Sequence, residues 1–383
     1  MRKLTVVIVS YNVRYYLEQC IVSVQRAARH IDYDIYVVDN DSHDDTVGYL
    51  RERFADEINI IESQHNLGFA RANNIAIRQS DSEYVLLLNP DTFIAEDSLT
   101  RVLGFMDEHP AAGGAGVMMF NSDGTRARES RRGLPTPWVS LLKMLGCSKR
   151  YYMTELPWDE PAQIEVMSGA FCMLRRSVLD KVGLLDKDFF MYGEDIDLSY
   201  RILKGGFQNW YVPAQIVHYK GESTQKSSYR YVHVFYQAML IFFRKHYGHL
   251  SLLVALPIKM AIYFRAFIAL VQMLYHRMRH SLGFDGRDLA DVNYCFVGSA
   301  AMIDQCQRLA RRRGLTAQFQ VVANSLSEVK LRPEPNSCLV YDTDRFSFAQ
   351  IVSDMEQRAA EHLSVGTYSC KSKVIITPSE IIR

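Results

Sequence analysis

Along the first hundred residues, short apolar runs alternate with stretches of helical spacing. Residues 4–9 form a β-branched run, the pattern of a strand buried on both faces. Residues 15–29 carry helical spacing and residues 34–38 read as a second strand. Residues 44–54 read as a helix opened by acidic residues that suit the positive end of its dipole. A third strand is expected at 58–62, a helix at 68–79 and a fourth strand at 84–88, which closes on Asn89-Pro90-Asp91. This βαβαβαβ order predicts a parallel, doubly wound α/β sheet. Ligands bind such sheets beyond the carboxyl ends of the strands, so the polar residues at those ends are the candidates for chemistry.

Further on, the pattern loosens into loops and short strands over 113–158. Order returns at 164–174 and in a helix beginning near Asp195. Residues 230–280 are helical and apolar, and 285–287 read as a linker. A second alternating block follows: strand 294–297, helix 301–313, strands 319–322 and 338–341, helix 348–363 and strand 373–376. Three parts are therefore expected, at 1–229, 230–284 and 285–383, the last a small Rossmann-like domain. Its Val297-Gly298-Ser299 turn has one glycine where a dinucleotide fingerprint has three, so a structural or partner-binding role is the default there.

Composition narrows the choices. Lys plus Arg number 44 against 43 for Asp plus Glu, so nothing favours bulk nucleic-acid binding. None of the seven cysteines forms a C-x-x-C pair, which fits a reducing cytosol. Residues 250–274 are strongly apolar but contain Pro257, Lys259 and Arg265, with basic groups flanking both ends. Internal charges count against a spanning helix. A segment lying on the membrane surface is expected instead, with a buried inter-domain helix pair as the alternative.

Four strand-end segments line up in the first block: Val9-Ser10-Tyr11-Asn12, Val38-Asp39-Asn40-Asp41-Ser42, Asn66-Leu67-Gly68-Phe69-Ala70-Arg71-Ala72-Asn73 and Leu88-Asn89-Pro90-Asp91-Thr92. A fifth lies a hundred residues on, at Phe189-Phe190-Met191-Tyr192-Gly193-Glu194-Asp195-Ile196-Asp197. Their order and spacing over roughly residues 3–245 resemble family 2 glycosyltransferases, and within them the bacterial rhamnosyltransferase-type enzymes of surface polysaccharides. The resemblance implies a GT-A fold, a Rossmann-like mixed sheet with helices on both faces. It also implies an inverting, metal-dependent enzyme moving sugar from dTDP-rhamnose or a UDP-sugar to a growing, lipid-linked glycan. The place implied is the inner face of a bacterial cytoplasmic membrane. A non-catalytic nucleotide-sugar-binding scaffold is the alternative; it would need a lost base or metal ligand, yet Asp91 and Asp195 are both present.

Physical chemistry gives these residues work. An ionised carboxylate only accepts hydrogen bonds, and the resemblance sets Asp39 at the N3–H of uracil or thymine. Asn89-Pro90-Asp91 stands where many GT-A enzymes have two carboxylates around one residue. A diphosphate leaving group needs its charge neutralised by a hard cation, Mg2+ or Mn2+, with Asp91 as ligand and His218 completing the site. Ser10, Tyr11, Asn12, Asn66, Gly68, Ala70, Arg71, Asn73 and Asn89 are expected around the donor, with Arg71 reaching a phosphate. Asp195 is the expected base for the acceptor hydroxyl, and Glu194 and Asp197 crowd it with like charge. Met167-Ser168-Gly169-Ala170 resembles the family's acceptor-side segment. Arg126, Arg128, Arg131 and Arg132 are read as a solvated basic loop, or alternatively as contacts to an acceptor phosphate.

Overall fold

The computed structural model describes residues 1–220, 229–248, 292–322, 325–329, 331 and 333–383, with scattered positions between 256 and 278. The linker expected at 285–287 lies outside the described residues. The first block follows the sequence pattern: β1 (Arg2–Ser10), α1 (Arg14–Ala27), β2 (Tyr33–Asp39), α2 (Thr46–Phe54), β3 (Asn59–Glu62), α3 (Phe69–Gln79) and β4 (Ser82–Leu88). These strands are parallel in the order β3-β2-β1-β4. From Leu4 to Ser10 every residue of β1 is buried, as its β-branched run requires.

Beyond β4 the sheet turns mixed. The chain continues through β5 (Thr92–Ile94), α4 (Ser98–Glu108), β6 (Ala112–Phe120), α5 (Pro137–Met144), α6 (Lys149–Tyr152), β7 (Ala162–Ile164), β8 (Phe171–Arg175), α7 (Arg176–Val182), α8 (Glu194–Lys204) and β9 (Gln208–His218). β8 runs antiparallel to β4, and β5 antiparallel to β9. The nine strands order as β3-β2-β1-β4-β8-β6-β9-β5, with β7 also on β9. Two pairings position the site. Leu88 sits opposite Phe171, and Thr92 opposite His218, so residues distant in sequence meet at the end of β4.

α9 (Tyr229–Tyr247) follows and is clamped to α8, where Asp197 accepts from His246 Nε2 (2.7 Å) and Arg201 Nε (2.8 Å). The apolar stretch 250–274 falls largely outside the described residues. Its described positions are helical, and Leu256, Met260, Phe264, Phe267 and Val271 are all exposed. Among the described residues no helix is long and apolar enough to cross a membrane.

The last block forms a second, six-stranded sheet: β10 (Tyr294–Gly298), α10 (Ala300–Arg313), β11 (Ala317–Val321), β12 (Cys338–Asp342), α11 (Phe348–Gln357), β13 (Ser364–Ser369), β14 (Val374–Ile376) and β15 (Ile381–Ile382), ordered β11-β10-β12-β13-β14-β15. The sequence reading ran its helix to 363 and placed no strand over 364–369. That segment, Ser-Val-Gly-Thr-Tyr-Ser, lacks an apolar run, yet its middle four residues are buried between β12 and β14. This sheet packs directly on the first block. Gln19 Nε2 donates to Thr367 Oγ1 (2.7 Å), Tyr16 Oη to the carbonyl of Thr377 (2.5 Å), and Phe93 lies against Phe348 with ring centres 5.0 Å apart.

Candidate functional site

The ends of β1, β2 and α3 are stitched together by short polar side chains. Asn12, at φ 55°, donates its N–H to Ser42 Oγ (2.9 Å) and accepts from the N–H of His43 (2.7 Å). Asn40 Nδ2 donates to Asn66 Oδ1 (3.0 Å), while Asn40 Oδ1 accepts from the N–H of Leu67 (2.8 Å). Asn66 is thereby committed to holding the loop, since its oxygen also takes the N–H of Gly68. Gly68 is required by conformation and by space. Its φ is 77°, and a Cβ there would lie 2.3 Å from the carbonyl of Phe190.

Within this frame, buried polar atoms are left unsatisfied. Asp39 is 4% exposed; its Oδ2 takes the N–H of Ser42, whereas Oδ1 has no hydrogen-bond partner among the described residues. Ser10 Oγ and Asn73 Oδ1 are likewise buried without partners among the described residues. Such atoms are rare in native interiors and call for a partner from outside the chain, a ligand, an ion or an ordered water. The turn-capping use of Asp39 and a ligand-binding use therefore coexist, one oxygen for each.

At the end of β4, Asn89-Pro90-Asp91 meets the end of β9. Asp91 is 1% exposed, and its Oδ1 lies 3.2 Å from His218 Nε2, which is also 3.3 Å from Asn89 Nδ2. The N–H of Tyr219 donates to the carbonyl of Asp91 (3.0 Å), fixing the two segments in register. A carboxylate oxygen and an imidazole nitrogen are competent ligands for one divalent cation. Neighbouring ligands of an octahedral ion at about 2.1 Å lie about 3 Å apart, so the residues present fit the group.

Asp195 opens α8 beside the start of β8. Arg132, nearly buried, pairs with its Oδ2 and donates to the carbonyl of Met167 (2.7 Å); the N–H of Gly169 reaches the same carboxylate oxygen (3.3 Å). Ala170 accepts from the N–H of Asn89 (3.1 Å), which links this corner to the Asp91 loop. Glu194 is buried with Oε2 unpartnered. Burial, reinforced by the charge of Asp195, pushes its carboxyl up to about 8, so it holds its proton at neutral pH. Asp197 is spent on Arg201 and His246 and serves the α8–α9 joint.

Two expectations change. The arginine loop is not a solvated patch: Arg126 pairs with Glu356 (2.7 Å), Arg131 stacks on Trp158 (3.6 Å to the ring centre) and Arg132 holds Asp195; Arg128 is exposed. Arg71 leaves the cluster as well. Ala70, Ala72 and Asn73 occupy the buried face of α3, and the exposed Arg71 side chain donates to the carbonyl of Lys187 (3.3 Å). Sequence reasoning missed Arg132 as the partner of Asp195, and no local signal marks a contact across 63 residues.

Residues 5–183 match the family described as Glycosyl transferase family 2. The chain is 27% identical over 261 residues to the N-acetylglucosaminyl-diphospho-decaprenol L-rhamnosyltransferase of Mycobacterium tuberculosis (strain ATCC 25618 / H37Rv), an alignment covering 62% of this chain and 83% of that protein. It is 30% identical over 162 residues to Rhamnosyltransferase WbbL of Escherichia coli (strain K12), covering 40% of this chain and 61% of that one. Among solved structures, the mannosyltransferase PcManGT from Pyrobaculum calidifontis, in complex with GDP-Man and Mn2+, aligns with a TM-score of 0.46 at 17% identity, covering 82% of this chain and 83% of that one.

Proposed function

The chain carries a glycosyl transferase family 2 domain over residues 5–183, and we propose that it is an inverting transferase. It takes sugar from a uracil or thymine nucleotide diphosphate, dTDP-rhamnose or a UDP-sugar, and passes it to a hydroxyl of a lipid-linked, cell-surface glycan. The observation that carries this reading is the buried, unpartnered Oδ1 of Asp39 at the end of β2. A pyrimidine N3–H supplies the donor that this atom lacks. Ser10 and Asn73 offer further unsatisfied oxygens around the same strand ends, and Tyr11, Asn12, Gly68, Ala70 and Asn89 shape the walls.

Asp91 and His218 would hold a divalent cation, Mg2+ or Mn2+, which when bound neutralises charge on the leaving diphosphate. The rest of the chemistry falls to side chains. Arg132 and the N–H of Gly169 fix the Asp195 carboxylate at the corner between β8 and α8. From there Asp195 takes the proton of the acceptor hydroxyl as its oxygen bonds to the anomeric carbon. The bond from that carbon to the phosphate oxygen breaks on the opposite face, with inversion. Glu194, protonated by burial, adds no second negative charge beside the base.

The acceptor class draws on the M. tuberculosis relative, whose name specifies a diphospho-decaprenol-linked sugar. Exposed apolar positions at helical spacing, Leu256, Met260, Phe264, Phe267 and Val271, support a peripheral seat on the inner face of the cytoplasmic membrane. A thermal-shift panel tests the donor assignment. UDP- and dTDP-sugars with Mn2+ should raise the melting temperature by several degrees at saturating concentration. Cytidine nucleotides should not, because cytosine N3 bears no hydrogen for Asp39. Equal shifts for cytidine and uridine nucleotides would remove Asp39 from base recognition.

A further inference from the structure

Beside the segment that leads into α8, at Lys187, Asp188 and Phe190, lies a cavity of about 540 Å3. Its walls include His65, Arg71, Lys187 and Arg244, with Phe190 and Ile241 as apolar surface. Of the side chains that stitch the strand-end site it shares Asn66, whose oxygen is already taken by Asn40 and the N–H of Gly68; Asp39, Asp91, Asp195 and His218 do not line it. Arg71 points away from the buried face of α3, and Arg244 arrives from α9.

Charge sets this cavity apart. Asp188 also lines it, but Lys245 neutralises that carboxylate at 2.6 Å and holds Asp186 at 2.5 Å. Arg71, Lys187 and Arg244 form no salt bridge among the described residues, so three positive charges converge without a protein counter-ion. The start of α3 borders the same space, Leu67 just before its N-cap Gly68 and Arg71 in its first turn, and adds the positive end of an eleven-residue helix. A concavity of this size holds more than one small anion, and its apolar walls suit the carbon portion of an ester.

We propose that this cavity binds the diphosphate of the acceptor, a prenyl diphosphate ester separate from the donor's own diphosphate. The assignment rests on the transferase reading above for the word acceptor. The anion chemistry rests only on the cations and the helix end. Lys187 and Arg244 grip the diphosphate, Arg71 closes the fork beside it, and Phe190 and Ile241 face the carbon chain or the first sugar. The acceptor is thereby anchored on the segment that leads into α8, the helix whose first turn carries Asp195.

The test uses the full chain and farnesyl diphosphate in metal-free, chelator-containing buffer, which removes any cation-dependent binding at Asp91. Wild type should bind farnesyl diphosphate and not farnesol. Lys187→Ala/Arg244→Ala should weaken that affinity about 10-fold or more, and Lys187→Ala alone should weaken it measurably. Both side chains are exposed and make no hydrogen bond among the described residues, so the fold should persist, and UDP affinity measured with Mn2+ should stay within about two-fold. An unchanged farnesyl diphosphate affinity in the double variant overturns the proposal. So does a parallel loss of UDP affinity, which would merge the cavity with the donor site. A second arm measures binding to vesicles of phosphatidylcholine mixed with phosphatidylglycerol. If the double variant loses vesicle binding as strongly as farnesyl diphosphate binding, the anion is a membrane headgroup and the acceptor assignment fails. Failure of wild type to bind any nucleotide would refute the transferase reading while leaving the Lys187/Arg244 dependence readable on its own.

Discussion

The two sheets of this chain share an architecture and differ in what stands at their strand ends. The first orders its parallel strands β3-β2-β1-β4, the second β11-β10-β12-β13. Each reverses direction of growth once, beside β1 and beside β10, and such a switch point opens a crevice where ligands bind. In the first block Ser10 Oγ at the end of β1, Asp39 Oδ1 at the end of β2 and Asn73 Oδ1 on α3 are buried and without partners among the described residues. In the second the crevice is filled from within. Asp342, 1% exposed, accepts the N–H (3.0 Å) and hydroxyl (2.6 Å) of Ser299 with one oxygen and the N–H of Asp344 (3.0 Å) with the other. A Cβ on Gly298 would lie 2.5 Å from that of Asp342, so the glycine makes room for a carboxylate and not for a phosphate.

The start of the next helix of the second sheet is capped in a similar way by the first block. Glu96 accepts the N–H groups of Phe348 and Ala349, each at 2.8 Å, at the start of α11. Asp342, Asp344 and Cys370 could in principle surround an ion, but Asp344 already accepts from the N–H of Cys370 (2.7 Å). A Rossmann-like topology therefore supplies a crevice, and the polar atoms left without partners decide whether it is a site. The second sheet instead lends packing. Phe348 lies behind Phe93, which touches Tyr219, the residue after His218.

The sharpest way to break this contrast is at the base. Asp195→Asn keeps the shape and removes proton acceptance, so transfer should fall by roughly 10²–10⁴-fold while nucleotide affinity holds. Loss of nucleotide binding in that variant would move Asp195 into the donor site. A matched pair of substitutions probes the two crevices next. Asp39→Ala should weaken UDP or dTDP binding by roughly 10–100-fold, the cost of one charge-assisted hydrogen bond. Asp342→Ala should leave that affinity alone and lower the melting temperature, because three donors lose their acceptor. The reverse outcome would exchange the roles of the two sheets.

The smallest expected effect concerns pH. The Glu194 carboxyl sits at about 8 in the folded protein against an ordinary value near 4.5. Between those values the folded state keeps a proton that the unfolded state has lost. Stability from this group is therefore complete below about 4.5, declines as pH rises through the window, and is gone above about 8. Glu194→Gln should flatten the melting temperature between pH 5 and pH 8 and gain most at the alkaline end. Parallel profiles for variant and wild type would show that Glu194 titrates normally.

Much of the first sheet was legible because β-branched runs such as 4–9 can only be buried strands, and polar residues closing those runs mark the ligand face. Asp39, Asp91 and His218 stand at such ends, whereas Asp195 stands in the first turn of α8. What escaped depends on distance. Arg132 meets Asp195 across 63 residues and Glu96 caps a helix 252 residues on, so neither pairing has a local pattern. Arg71 misled for a different reason. Its segment resembles the family's donor-side pattern, but helical geometry turns it to the outer face while Asn73 takes the inner one. β13 escaped because Gly366 and Thr367 separate its buried Val365 and Tyr368, which leaves no apolar run.

The central claim is that the open strand ends hold a nucleotide diphosphate through Asp39 and through a cation at Asp91 and His218. Calorimetric titration of UDP and dTDP into wild type, Asp91→Asn and His218→Ala, each with and without Mn2+, tests it most directly. Wild type should bind at least about ten times more tightly with Mn2+ than without, a gain of roughly 1.4 kcal/mol. Asp91→Asn should lose that gain and His218→Ala most of it, while metal-free affinity stays near the wild-type value. Binding that ignores Mn2+ in wild type, or a Mn2+ gain that survives Asp91→Asn intact, would contradict the account.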